Sequence, residues 1–317
     1  MFQDARSITR RDAIKGLGSA GAALAALVVT PTIAAAQRKP YEVGYGLYGM
    51  RDLPYMEGLG HLARIGYKHV ELTLRPGWNT EPKLLTRANR AEIRKRIGDL
   101  GLTLVDVMEG MQPASNVTVE QNLERLRAAA EMAHECSPGA PALIQTPIGG
   151  RPGTWMERRE PMAEELAKWA SKLDELDVTF CIKPHSKQVM GTPEQLLWML
   201  DRVNHPRMKG VYDYGHFMAF GLGLEETIRQ VAPRAGFVHI KDAVGKAPDH
   251  RFVLPGDGGV DHARMLRTMG EVGYQGPIVV EVSNDVFSQP GYDPIATAQR
   301  MWDRLSPVFR ESNRAGR

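Results

Sequence analysis

The stretch VTFCIKPHSKQ, Val178 to Gln188, decides how this chain is read. Val178, Phe180 and Ile182 alternate with smaller or polar neighbours, the period-two pattern of a buried strand. Lys183, Pro184 and His185 then arrive together at its C-terminal end. Lysine is seldom buried without a partner, so the meaning of this ending depends on what other strands deliver beside it.

Working outward, strand-like and helix-like segments alternate from Tyr41 onward. The strand segments are Tyr41–Tyr45, His69–Thr73, Thr103–Val107, Ala142–Thr146, Val178–Lys183, Lys209–Tyr212, Gly236–Ile240 and Pro277–Val282. Between them lie helical patterns such as Val119–Glu135 and Arg159–Leu176, with apolar residues three and four apart. Eight such units in one uninterrupted body predict a single-domain α/β fold, the (β/α)8 TIM barrel, over residues 37–317. A doubly wound sheet is the competing architecture, but no strand runs into GxGxxG.

A barrel gathers its functional residues at strand C-terminal ends, and ionisable residues cluster there. Glu71 comes from the second strand, Asp106 and Glu109 from the third, Lys183 and His185 from the fifth. Asp213 and His216 follow the sixth, His239, Lys241 and Asp242 end the seventh, and Glu281 lies on the eighth. Each has a bland reading. An Asp at a strand end often caps a helix, a lone His between apolar neighbours is usually a satisfied core residue, and Lys241 with Asp242 can be a local ion pair. Glu281, inside the β-branched run PIVVEVS, is harder to dismiss, because an unpaired buried carboxylate is costly and calls for a cation. An Asp, a His and a Glu on consecutive strands are the donors a divalent metal takes. Trp78 in RPGWN and Trp155 in RPGTW follow strands at the same mouth, where they either stack on a sugar ring or cover the core. The glycines of LPGDGGVD predict a loop of close approach, with Asp261 capping the next helix.

The first 36 residues read as an address. Arg10 and Arg11 precede the apolar run LGSAGAALAALVV, and Ala34-Ala35-Ala36 forms a small-residue cleavage site. The segment resembles a twin-arginine export signal, cleaved after delivery, which implies the export machinery as a partner and a periplasmic or secreted location. A membrane anchor is the alternative. The net charge is +3, and this segment holds four cations and two anions, leaving a nearly neutral body. No electrostatic footprint for nucleic acid remains. Cys136 and Cys181 form no CxxC, so neither a zinc knuckle nor a disulfide framework is indicated. A homo-oligomer is left open.

With YDYGHF, FVHIKD, LPGDGGVD and GYQGPIVVEVS in place, the chain resembles the xylose-isomerase-like TIM-barrel superfamily, which includes sugar epimerases and inosose dehydratases. The resemblance implies one divalent metal ion (Mn, Co, Mg or Zn), with Asp213, His239 and Glu281 as ligands. It also implies that His216 contacts substrate hydroxyls, with Lys241, Glu109, Trp78 and Trp155 as further substrate-binding candidates. One position departs from the pattern. Where the family carries a fifth-strand Glu ligand, this chain reads IKPH with Lys183. His185, on the same face two residues on, is then expected to supply the missing donor. Lys183, its pKa lowered by burial and the nearby cation, is expected to abstract a proton α to a carbonyl, with His216 or Glu281 as proton donor. The implied activity is that of a metal-dependent isomerase or epimerase on a sugar or keto sugar. The alternatives are a lyase performing β-elimination on a 3-keto glycoside and a non-catalytic carbohydrate-binding barrel, metal-free because Lys183 simply neutralises Asp213 or Glu281.

Overall fold

The computed structural model describes residues 39–315. The expected export signal, residues 1–36, lies outside them. Among the described residues, no helix is long and apolar enough to cross a membrane.

Eight parallel strands close into a barrel: β1 (Val43–Gly46), β2 (His69–Thr73), β3 (Thr103–Met108), β4 (Leu143–Pro147), β5 (Phe180–Lys183), β6 (Met208–Asp213), β7 (Ala235–Ile240) and β10 (Ile278–Val280), with β10 pairing β1. The expected barrel is present. An antiparallel hairpin, β8 (Asp242–Val244) and β9 (Arg251–Val253), leaves directly from the top of β7 and has no counterpart in the sequence reading.

The helices begin where local chemistry favours them. Helix α3 (Val119–Glu135) starts on a capping box in which Thr118 and Gln121 satisfy each other's backbone N–H groups. Helix α5 (Pro193–Val203) does the same with Thr192 and Gln195 and adds a proline in its first turn. Asp261 caps α8 (His262–Glu271), its side chain accepting from the Arg264 N–H at 2.9 Å. Helix α4 starts at Trp155, earlier than the periodicity alone indicated, and runs to Ala170.

Strand alternation divides side chains between the helical layer and the barrel interior. Phe180 and Ile182 join the main core, while Cys181 packs with Val211, Phe237 and Val279 in a separate cluster. Two residues further along these four strands stand Lys183, Asp213, His239 and Glu281, all buried. An apolar layer therefore carries an ionised layer directly above it, and strand period fixes that placement.

Candidate active site

Lys183 occupies the centre of the ionised layer. Its Nζ lies 2.9 Å from Asp213 Oδ2, 2.5 Å from Glu281 Oε2 and 2.8 Å from His239 Nδ1. The contacts to Glu281 and His239 are hydrogen bonds, and the contact to Asp213 is an ion pair. Lys241 adds a second ammonium, 3.1 Å from Asp213 Oδ2 and 2.8 Å from Glu281 Oε2. Gly215 makes room for it, since a Cβ there would sit 2.8 Å from Lys241 Cγ.

Burial opposes ionisation of the carboxyls, but Lys183 and Lys241 together hold Asp213 and Glu281 well below the usual carboxylate range. Burial likewise opposes the charge on Lys183, and Asp213 and Glu281 more than reverse it, raising its pKa. The expectation that Lys183 acts as a neutral base therefore fails. The field at Nζ is set by two carboxylates in contact, which outweigh desolvation.

Asp213, His239 and Glu281 each offer one ligand atom, all within 4.8 Å of one another, a set that in donor type could hold a metal. Metal ligation requires nitrogen and oxygen donors at about 2.0–2.2 Å, and the point central to this set is where the Lys183 ammonium sits. Two ammoniums already balance the two carboxylates. The residues present do not fit an added divalent ion.

His185 does not join that set. Its Nδ1 accepts the Lys187 N–H at 3.2 Å, which leaves the ring proton on Nε2, and the ring lies 4.1 Å from that of His216. Burial, helped by His216 and Lys241, keeps its pKa well below the histidine range, so it is neutral. His216 lies beside Asp213, with Nε2 3.4 Å from Oδ2. It is fully buried, however, and does not line the cavity as a substrate-binding or catalytic group would. Its Nδ1 accepts the Ser186 N–H at 3.1 Å, and burial followed by Lys241 lowers its pKa to about 3. The short helix Tyr214–Met218 turns the ring back beneath His185.

A cavity of about 210 Å³ opens over the layer, lined by Tyr48, Arg75, Gln145, Lys183, His185, Lys241, Phe252 and Glu281 among others. The remaining expected sugar contacts lie elsewhere. Trp78 stacks behind Tyr48, with ring centroids 5.1 Å apart, and is covered by Arg51. Trp155 packs edge-on against Trp198 of α5. Glu109 is held by Arg125 and the Gly110 N–H. Each has a structural partner that removes it from the cavity.

Sequence reasoning missed the β8–β9 hairpin and its Phe252. That ring lies 4.5 Å from Lys241 Nζ and 5.2 Å from Lys187 Nζ, and its N–H donates to Asp285. Asp242 anchors the hairpin instead of pairing with Lys241: its Oδ2 accepts the N–H groups of Gly256, Gly258 and Val260. A Cβ on Gly258 would lie 2.7 Å from the Ala243 carbonyl oxygen, which explains the glycine in LPGDGGVD. Gln145 and Arg75 were missed as well. Arg75 opens the RPGWN in which only the tryptophan was singled out, Gln145 lies inside a strand segment, and barrel closure brings both to the mouth.

A closed parallel barrel with an ionised floor and a small polar cavity at its C-terminal face defines the class. Residues 59–305 match the family described as the xylose isomerase-like TIM barrel. This chain belongs to that family. It is 24% identical over 277 residues to an inosose dehydratase of Geobacillus kaustophilus (strain HTA426), spanning 78% of this chain and 86% of the relative. Among solved structures it resembles an L-ribulose 3-epimerase, at 16% identity and a TM-score of 0.69, over 87% of this chain and 96% of the other. It also resembles the 3-keto-D-glucoside 4-epimerase YcjR of E. coli, at 16% identity and a TM-score of 0.65, over 84% and 98%.

Proposed function

We propose that this chain is a sugar-transforming enzyme that removes a proton α to a carbonyl and completes a β-elimination, as a dehydratase or lyase on a keto sugar or keto glycoside. One observation carries the reading: Glu281 and two buried ammoniums share the floor of a small polar cavity. At about 30 Å³ per water, the cavity has room for roughly seven waters, so it suits a small polar ligand.

Lys183, Lys241 and His239 all meet Glu281 at Oε2, leaving Oε1 to take a substrate proton. A carbonyl oxygen bound by Lys241 draws that ammonium away from the carboxylate. The oxygen gains a donor that stabilises the developing enolate, and Glu281 regains basicity in the same movement. The C–H electron pair moves into the new C=C bond as the carbonyl oxygen takes up charge. Collapse of the enolate then expels the β-oxygen, which takes the proton that Glu281 removed from carbon. Water or an alcohol leaves, and the α,β-unsaturated ketone remains.

Elimination is preferred to epimerisation because a single carboxylate, first as base and then as acid, suffices for it. Inversion at carbon by a two-carboxylate scheme needs a second base across the substrate, and the fifth strand supplies Lys183 there. The inosose dehydratase relative supports the same choice. Residues 1–36 are proposed to direct the folded barrel out of the cytoplasm, which favours a free keto sugar or glycoside over a phosphate ester. The test is incubation with inososes and 3-keto glycosides in deuterated water, followed by NMR. The expected result is an unsaturated ketone, lost in Glu281→Gln. Deuterium uptake with inverted configuration and no alkene would indicate an epimerase. Saturable sugar binding without turnover would indicate a binding barrel.

A further inference from the structure

We infer that the Lys183 ammonium is the resident cation of this barrel, standing where Asp213, His239 and Glu281 would hold a divalent metal, so that the wild-type protein binds no metal there and a single substitution at Lys183 creates a metal site.

The geometry is that of a filled site. Asp213 Oδ2, His239 Nδ1 and Glu281 Oε2 converge on Nζ at 2.9, 2.8 and 2.5 Å. The distances are those of close contacts to a charged donor. The orientation of the histidine is also fixed from behind. His239 Nε2 lies 2.7 Å from Glu71 Oε2, which holds the ring with Nδ1 directed at Lys183 and Glu281. Metal-ligating histidines are oriented by carboxylates in the same way, and here the arrangement points at an ammonium.

Charge leads to the same conclusion. Asp213 and Glu281 carry two negative charges, and Lys183 and Lys241 balance them within 3.1 Å. A divalent ion would have to displace Lys183 from a buried position and leave that ammonium without a counter-charge, which is strongly unfavourable. Lys183 is a member of the barrel's interior layer, fixed by its place on β5. Strand period also means that a glutamate at this position would direct a carboxylate into the same triangle, completing a four-donor set.

Metal analysis and manganese titration test this without any substrate, so the outcome is independent of the proposed reaction. Wild-type protein, purified without chelator, is expected to carry well under one equivalent of divalent metal. Its melting temperature should not change on dialysis against EDTA, and it should show no saturable Mn2+ binding. Lys183→Glu is expected to bind one Mn2+, with an affinity gain beyond the ~10–100-fold that loss of a supporting partner costs a metal site. Its melting temperature should rise with added Mn2+. Lys183→Ala, which vacates the triangle without adding charge, should bind Mn2+ more weakly than Lys183→Glu but more tightly than wild type. A stoichiometric metal in wild type, or an EDTA-induced drop in its melting temperature, would overturn the inference even if neither variant folds. Folded variants that gain no Mn2+ affinity would overturn it as well.

Discussion

The two halves of the barrel interior treat buried charge in opposite ways. On the side built by β5, β6, β7 and β10, each carboxylate meets an ammonium within about 3 Å, and the four charges cancel. On the side built by β2, β3 and β4, Glu71 and Asp106 sit in register on paired strands with no lysine or arginine among the described residues in contact with either. Burial and the neighbouring Glu71 push the Asp106 carboxyl well above its usual range, so it keeps its proton. Both amide atoms of Gln145 and the hydroxyl of Thr73 lack partners. The first half is electrostatically complete. The second holds no such balance of charges, and Gln145 presents its amide to the cavity. Reactive electrostatics and substrate recognition are thereby assigned to different strands.

The sharpest contrast comes from deleting charge on the complete side. Asp213→Ala leaves two buried ammoniums sharing one carboxylate, and loss of one partner from a buried pair costs about 3–5 kcal/mol. Denaturant titration should show a destabilisation of that size. Glu281→Gln is expected to slow the proton transfer by about 10²–10⁴, the usual contribution of a positioned base, measured as turnover in deuterated water. Acid should act next. The folded pKa of His216, about 3, lies below its ordinary value of 6.5, so the unfolded chain takes up the proton first. The stabilisation is complete above pH 6.5 and is lost as pH falls toward about 3, at up to about 1.4 kcal/mol per pH unit. His185, neutral for the same reason, adds in the same direction. His216→Gln should flatten the slope of stability against pH in this window.

Changes on the incomplete side should be milder. Gln145→Leu removes two unpartnered polar atoms, so stability should hold or rise slightly, while KM should worsen by about 1–3 kcal/mol of lost ligand contact with kcat little changed. Asp106→Asn should be the smallest, within about 0.5 kcal/mol in denaturant titration, because a carboxyl that already holds its proton is replaced by a neutral amide of the same shape. A large loss there would show that Asp106 is ionised and that the two halves are less different than their geometry indicates.

The elements legible before folding were those that repeat. Strand period and turn chemistry reveal the barrel, and the unusual cost of a buried Glu281 and Lys183 points to their common layer. The direction of the Lys183 pKa was not legible. It depends on how many carboxylates come within 3 Å of one nitrogen, and those come from β6 and β10, far away in sequence. Trp78 and Trp155 were placed at the mouth by position alone, and their partners Tyr48 and Trp198 appear only in the packed structure. The β8–β9 hairpin was missed because its strands are three residues each and carry no long alternation.

The most direct test is a crystal structure of the wild-type protein soaked in MnCl2, with anomalous data collected at the manganese edge. Lys183 Nζ is expected within hydrogen-bonding distance of Asp213, His239 and Glu281, with no anomalous peak among them. A manganese peak at that point, with the Lys183 side chain turned away, would contradict the assignment of the ammonium as the site's cation.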